Sequence, residues 1–245
     1  MARRRFLVDQ IRDNLAVLHG DDARHLAQVL RAEPGQQYEI TDGTDLYLAE
    51  IASAETNRVT FRVIEALNAP PPPVRLTLLA AIVKFDRFES LVEKATELGV
   101  SAIVPVNAAR TGKGLLEAAR KRAERWRRIA HESSQQARRL APPEIGEPQA
   151  FAKAIATTAS LRYFLDEKPG APPLLSAIPP PAERLAADSI ALLIGPEGGW
   201  TDAERAAAAS QWLPVSLGPL ILRSETAAIA AAGMLMHAWW ASQLE

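Results

Sequence analysis

The sequence predicts a mixed α/β protein in two unequal parts, a small β-barrel carrying one helix and then a larger domain built on a mostly parallel sheet. Three observations carry this reading. Four prolines, Pro70 to Pro73 in "NAPPPPV", must run extended, because each ring fixes φ and disfavours helix in the residue before it; they read as a linker between residues 1–69 and 74–245. Ahead of the linker, "RVTFRVIEA" alternates apolar and polar residues, the mark of a half-buried strand. Behind it, apolar runs of strand length alternate with helical patterns, as crossover helices between parallel strands require.

Taken in order, "DDARHLAQVLR" has acidic residues to cap a helix start, with Ala23, Leu26, Val29 and Leu30 on one face. "YEIT" and "LYLAEI" flank a turn containing Asp42 and Gly43, and with "RVTFRVIEA" they supply the strands of the small domain. After the linker, "VRLTLLAAIV" is apolar throughout, as expected of a central strand covered on both faces. In "DRFESLVEKATELGV", Phe88, Leu91, Val92, Ala95 and Leu98 recur at helical spacing, and Gly99 is placed to end the helix in a left-handed cap. "SAIVPV" reads as a strand and residues 115–140 as a long basic helical region. "LRYFLDE", "SIALLIG" and "LPVSL" give three more strands, and the proline-rich "PGAPPLLSAIPPPAERL" reads as a surface connection. The last helix, from Glu225 to about Gln243, is rich in alanine and apolar nearly all round, with Ile229, Met234, Leu235, Trp239 and Trp240, which predicts a buried helix, one side covered by its own domain and the rest by a second subunit, unless it is central to the monomer core.

Composition narrows the function classes. The chain has 48% hydrophobic and 23% charged residues, the balance of a globular protein. It has no cysteine and only four histidines, so a thiolate metal site is ruled out, a zinc site is poorly supplied and no metal is expected; a reducing cytoplasm is the simplest location. "MARRRFLVDQ" lacks the apolar core of a secretory signal, and "TAAIAAAGMLMHAWW" is shorter than the ~20 residues that cross a bilayer, so no membrane partner is expected. The net charge of −1 gives no global argument for an acidic partner. Positive charge is nevertheless concentrated in Arg3, Arg4 and Arg5 and in "ARKRAERWRR" followed by "QQARR".

The chemistry is concentrated in "LLIGPEGGWTDAE". Thr201 and Glu204 form a T-x-x-E capping box, so a helix begins there and residues 195–200 are the loop proper. That loop leaves the carboxyl end of a parallel strand, where open α/β sheets bind ligands. A phosphate cradle would need G-K-[ST] or G-x-G-x-x-G; neither is present, and Glu197 would repel an anion. The loop alone leaves two readings open. It could hold a neutral or cationic body by backbone hydrogen bonds, such as the adenine and sulfonium of S-adenosylmethionine, or it could be a tight strand–helix turn without a ligand. On the first reading a Cβ at Gly198 blocks the backbone approach of the ligand. "SLGPLILRSETAAIAA" repeats the arrangement of strand, Gly-Pro turn, apolar piece and helix start, with Ser224 placed as N-cap and Glu225 at the positive helix end.

"LIGPEGGWTDAE", "LGPLILRSETA" and "VEKATELGV" resemble the bacterial methyltransferases that act on N3 of one uridine in 16S ribosomal RNA, a family of the SPOUT superfamily. "HLAQVLRAEPGQ" resembles that family's N-terminal PUA-like RNA-binding domain, and "RWRRIAHESSQQARR" with "PPEI" its central basic segment. The resemblance implies a PUA-like barrel over residues 1–69 and a SPOUT methyltransferase domain with a C-terminal trefoil knot over 74–245. It also implies S-adenosylmethionine as cofactor, the 16S rRNA of the small ribosomal subunit as partner, and a homodimer. Cofactor contacts are expected from Leu165; from Ile194, Gly195, Pro196, Glu197, Gly198 and Gly199; from Leu217, Gly218, Leu220, Ile221 and Leu222; and from Ser224 and Thr226. RNA contacts are expected from Arg3, Arg4, Arg5, His25, Arg31, Lys84, Arg138 and Arg139. The sequence departs from the family at Leu220, usually basic, at Ser224, usually threonine, and at Gln135 and Ala137 in "QQARR".

Methylation at uracil N3 requires its proton to leave while the nitrogen lies in line with the donor methyl, so positioning supplies most of the help. Arg223 is the expected cation beside the developing uracil anion, the bland reading being a surface ion pair. Glu225 is the expected proton acceptor, although a first-turn glutamate needs no catalytic reason. Glu197 either contacts the cofactor or orients its own loop. His25 and His131 are read as structural or RNA-facing. The alternative class is a non-catalytic RNA-binding or ribosome-assembly protein that keeps the SPOUT fold.

Overall fold

The computed structural model describes residues 4–244. By backbone contacts the chain forms two compact units, residues 1–71 with 131–142, and 72–130 with 143–245. The first division falls in the proline run. The sequence had no means of assigning 131–142 to the first unit, because their partners there are distant in the chain.

In the first unit the strands are β1 (Arg5–Leu7), β2 (Ile11–Arg12), β3 (Leu15–His19), β4 (Gln37–Thr41), β5 (Leu46–Glu55) and β6 (Arg58–Leu67). They form one sheet in the order β1-β4-β5-β6-β3-β2, antiparallel except where β1 pairs with β4. The last three strands expected from alternation are present, whereas β1 to β3 were too short to read singly. Among the described residues no ladder joins β1 to β2, so hydrogen bonding leaves the expected barrel open. Both end strands are short, and the chain reverses at Asp13 and Asn14, both at positive φ. Phe6, Leu26, Ile40, Ile51 and Phe61 form the core of the unit.

The helix expected over 21–31 divides into α1 (Gly20–Arg24) and a π-helical turn (His25–Val29). Ala23 and Leu26 are buried as expected, but Val29 is 66% exposed. A π-turn widens the i-to-i+4 step and rotates later residues off the face that regular spacing assigns them.

The second unit holds β7 (Arg75–Ala81), β8 (Ala102–Asn107), β9 (Glu144–Ile145), β10 (Gln149–Ala150), β11 (Leu161–Leu165), β12 (Ser189–Ile194) and β13 (Leu213–Val215). Every ladder is parallel, in the order β10-β8-β7-β12-β11-β13, with β9 also on β8. The continuous apolar run of β7 has the predicted cause. Leu76 and Leu78 pack into a core with α2 (Phe85–Glu97), α3 (Leu115–Gln136) and α7 (Ser224–Ser242), while Leu79 and Ala81 pack into a second core with Trp200 and Trp212. That second face also carries α4 (Phe151–Ala154) and α6 (Asp202–Ala208). Gly99 follows α2 at φ 92°, the left-handed stop predicted from its position. The proline-rich connection contains α5 (Leu174–Ala177) and a 3₁₀ turn. Among the described residues no helix is long and apolar enough to cross a membrane.

The basic face of α3 is largely neutralised within its own unit. Arg122 and Arg125 share Glu89, at 3.0 and 2.7 Å, and Arg127 meets Glu147 at 2.8 Å. On α7 the burial within the single chain is one-sided. Ala228, Ala231, Ala232, Leu235 and Trp239 are buried, while Met234 and Trp240 are 37% and 51% exposed. An all-apolar helix has no polar stripe to mark which side the monomer covers.

Candidate active site

At the carboxyl ends of β12, β11 and β13 a cavity of about 330 Å³ opens. Parallel pairing sets its plan. β11 lies between β12 and β13, so the loops after β12 and β13 rise on either side of the end of β11. Leu165 lines the cavity at that end, with Ile194 to Gly199 on one side and Leu217, Gly218, Leu220, Ile221 and Leu222 on the other. Leu220 and Ile221 are each 78% exposed and form a rim.

The loop after β12 is held from outside. Thr201 caps α6 in the predicted box: its hydroxyl accepts from the Glu204 amide at 3.2 Å, and Glu204 Oε2 accepts from the Thr201 amide at 2.9 Å. The other Glu204 oxygen accepts from the Ala109 amide at 2.8 Å, tying the helix start to the chain after β8. Arg110 donates to the Gly198 carbonyl at 2.6 Å and Arg205 to the Trp200 carbonyl at 2.6 Å. Arg205 also pairs with Asp166 and Glu167, which follow β11 and line the cavity. Burial pushes its guanidinium down, but the two carboxylates outweigh that and hold its pKa above the ordinary value.

The glycines of this loop serve different ends. A Cβ on Gly195 would stand 3.0 Å from the Trp200 indole, and Gly199 is at φ 68° with Glu167 where its Cβ would go. A Cβ on Gly198 would meet the Arg110 side chain at 3.3 Å. On that side Gly198 makes room for a clamping arginine, and it also lines the cavity.

Ser224 also differs from expectation. The N-cap of α7 is Arg223, and the Ser224 hydroxyl caps nothing; it donates to the Gly195 carbonyl at 2.7 Å and joins the two loops. It is buried, a position that favours a long-range acceptor over its own helix amides. Arg223 is exposed, and among the described residues its side chain has no ion pair or hydrogen bond. Glu225 is half-buried in the first turn of α7, and its Oε2 is buried without a hydrogen-bond partner. Thr226 is exposed and does not line the cavity.

Arg87 of α2 was missed. Its Nη1 donates to Glu197 Oε1 at 2.7 Å and its Nε is 3.9 Å from Glu225 Oε1. Arg110, Arg205, Asp166 and Glu167 were missed with it, because a charged residue in a helix or after a strand carries no local mark of a distant partner. Trp200 stood inside the quoted motif and could have been read as a loop anchor; its indole N–H donates to the Leu165 carbonyl at 2.9 Å.

Of the expected RNA contacts, Arg3 lies outside the described residues. In the first unit, Arg4 and His25 are exposed and 3.5 Å apart, and Arg31 is exposed. Arg5 is committed inside its unit: it pairs with Glu39 at 2.9 Å and donates to the Arg138 carbonyl. Arg139 donates to the Ala141 carbonyl, and burial lowers its pKa to about 10. Arg4, Arg5, His25 and Arg138 line one cleft with Gln135 and Gln136. In the second unit Lys84 is exposed at the N-cap of α2. His131 is half-buried. It and Gln135 each lie 2.7 Å from Asp22 Oδ2.

A family model described as the RNA methyltransferase domain matches residues 70–236, and one described as the RNA methyltransferase PUA domain matches 18–64. The chain is 31% identical to the ribosomal RNA small subunit methyltransferase E of Mycobacterium bovis, over 97% of this chain and 94% of that protein. It is 27% identical to the protein of the same name in Aquifex aeolicus, over 95% and 98%. The crystal structure of a Neisseria gonorrhoeae ribosomal RNA small subunit methyltransferase E bound to S-adenosyl methionine covers 97% of this chain and 98% of that one, at 28% identity and a TM-score of 0.85.

Proposed function

This chain belongs to the RNA methyltransferase family, and we propose that it transfers a methyl group from S-adenosylmethionine to N3 of a uridine in the 16S rRNA of the small ribosomal subunit. The observation that carries the reading is the cavity between the two loops, tied together by Ser224. The cofactor fits the residues present. The cavity falls in the size range of small-molecule sites, and its lining combines the apolar Leu165, Ile194, Leu217 and Leu222 with the backbone of two glycine-bearing loops. The non-catalytic alternative gives no reason for a formed cofactor cavity.

When bound, S-adenosylmethionine supplies an electrophilic methyl carbon and takes away the electron pair of the bond that breaks. The loops after β12 and β13 orient it. Glu225 receives the N3 proton, and the nitrogen pair then forms the new bond. Arg223, exposed beside the second loop, steadies the uracil anion while charge develops. Arg4, His25, Arg31, Arg138 and Lys84 contact RNA phosphates, whereas Arg5 and Arg139 shape the first unit from within. The domain assignment belongs to the same proposal, with 1–69 as a PUA-like barrel and 74–245 as a SPOUT domain whose C-terminal segment is a trefoil knot. So do a cytoplasmic location and a homodimer formed through the exposed face of α7.

Mass-spectrometric mapping of 16S rRNA from cells with and without the gene tests the reaction. The expected result is one 3-methyluridine lost on deletion and restored by the purified protein with S-adenosylmethionine. Arg223→Ala should lower the single-turnover rate by roughly 10²–10³ with cofactor affinity unchanged. A normal rate with weakened RNA binding would move Arg223 to a phosphate and remove it from the chemistry.

A further inference from the structure

Arg87 lies in the first turn of α2, outside the residues that line the cavity. Its guanidinium nevertheless stands between two acidic groups from separate loops. It donates to Glu197, on the loop after β12, at 2.7 Å and lies 3.9 Å from Glu225, at the start of α7. The two contacts are unequal. The short one fixes Glu197, while the long one leaves Glu225 Oε1 facing a positive charge and Oε2 buried without a partner. Two carboxylates facing one small region repel each other, and a cation between them relieves that. A planar guanidinium reaches both acceptors at once, which a single ammonium does less well.

We propose that Arg87 is a positioning residue that couples the cofactor loop to the acceptor carboxylate, holding Glu197 against the cavity and fixing the orientation of Glu225 through Oε1. The second half rests on the reading of Glu225 as proton acceptor; the first half does not. Arg87 therefore has two readouts, cofactor affinity through Glu197 and the rate of methyl transfer through Glu225.

The test measures S-adenosylmethionine affinity by calorimetry, and the single-turnover rate at saturating cofactor on small-subunit rRNA, for the full chain. Arg87→Met keeps the aliphatic stem and should weaken affinity about tenfold and slow transfer about tenfold, the loss of a charge-assisted hydrogen bond in each case. Adding Glu197→Gln to Arg87→Met should cost no further affinity, and adding Glu225→Gln should cost less rate than Glu225→Gln does alone. Arg87→Lys should recover one readout and not both. Additive effects in either cycle, or full recovery of both readouts by lysine, would overturn the proposal.

If Arg87→Met does not fold, the cycle between Glu197→Gln and Glu225→Gln with Arg87 in place serves instead, and independence of the two glutamates overturns the coupling. Identifying the methylated atom in the wild-type product separates the failures. A product other than 3-methyluridine removes the reaction reading, while the affinity cycle with Glu197 still decides whether Arg87 holds the loop.

Discussion

Gly199 shows how one residue of the site is constrained twice. At φ 68° it occupies the left-handed region, and its missing Cβ leaves room for the Glu167 carboxylate, which Arg205 holds at 2.6 Å. Gly199→Ala should therefore strain the loop by about 1–2 kcal/mol from backbone conformation alone, more once Glu167 is displaced. Calorimetry should find S-adenosylmethionine affinity down at least tenfold; wild-type affinity would mean that this loop does not touch the cofactor. A second residue-scale expectation concerns Asp22 and His131. The hydrogen bond from His131 to Asp22 raises the histidine pKa despite burial. Burial pushes the Asp22 carboxyl up, but the bonds from His131 and Gln135 outweigh it and leave that pKa lowered. The histidine's contribution is complete below its unfolded pKa of about 6.5 and is lost as pH rises through the raised folded value; that of Asp22 is lost as pH falls through its lowered value. Asp22→Asn should thus remove stability below the unfolded histidine pKa of about 6.5 and above the lowered value of Asp22, and the difference in thermal midpoint from wild type should shrink as pH rises through the raised histidine value. A difference that stays constant over that range would remove the charged pair from the account.

At the scale of elements, the start of α7 is read differently from sequence and from structure. A serine before "ETAAIAA" is a good local N-cap, yet its hydroxyl bonds Gly195 across the site. The two roles predict different losses. If Ser224 ties the loops, Ser224→Ala should weaken cofactor binding about fivefold, near 1 kcal/mol, with amide exchange in the first turn of α7 unchanged. If it capped α7, the first turn would fray and affinity would be nearly untouched. Helix α6 is the contrasting case, because Thr201 and Glu204 are three residues apart and the box forms from local chain alone. The π-turn after α1 lies between these, since the buried Ala23 and Leu26 were legible and the exposed Val29 was not.

For the molecule as a whole, α7 carries the open question of assembly. Its inner face is fully buried, whereas Met234 and Trp240 leave apolar surface on the outer face, next to the His237 ring 5.6 Å from Trp240. Large apolar side chains on one helix face mark an interaction surface. Trp240→Glu should convert a dimer to a monomer in sedimentation velocity without lowering the thermal stability of the folded chain. A wild-type protein that sediments as a monomer would retire the dimer.

By itself the sequence determined what local physics controls. The apolar run of β7 set a doubly covered strand, Gly99 ended α2, and the capping box put the cavity loop at residues 195–200. Each depends on residues within a few positions of one another. Only the tertiary structure decided the rest. It gave residues 131–142 to the first unit, turned Ser224 from cap to tie, pointed Gly198 at Arg110, and brought Arg87 to Glu197 and Glu225. The physical reason is the same throughout: an arginine, a hydroxyl or a carboxylate bonds whichever partner folding brings within about 3 Å, and that partner's place in the chain leaves no periodicity to read.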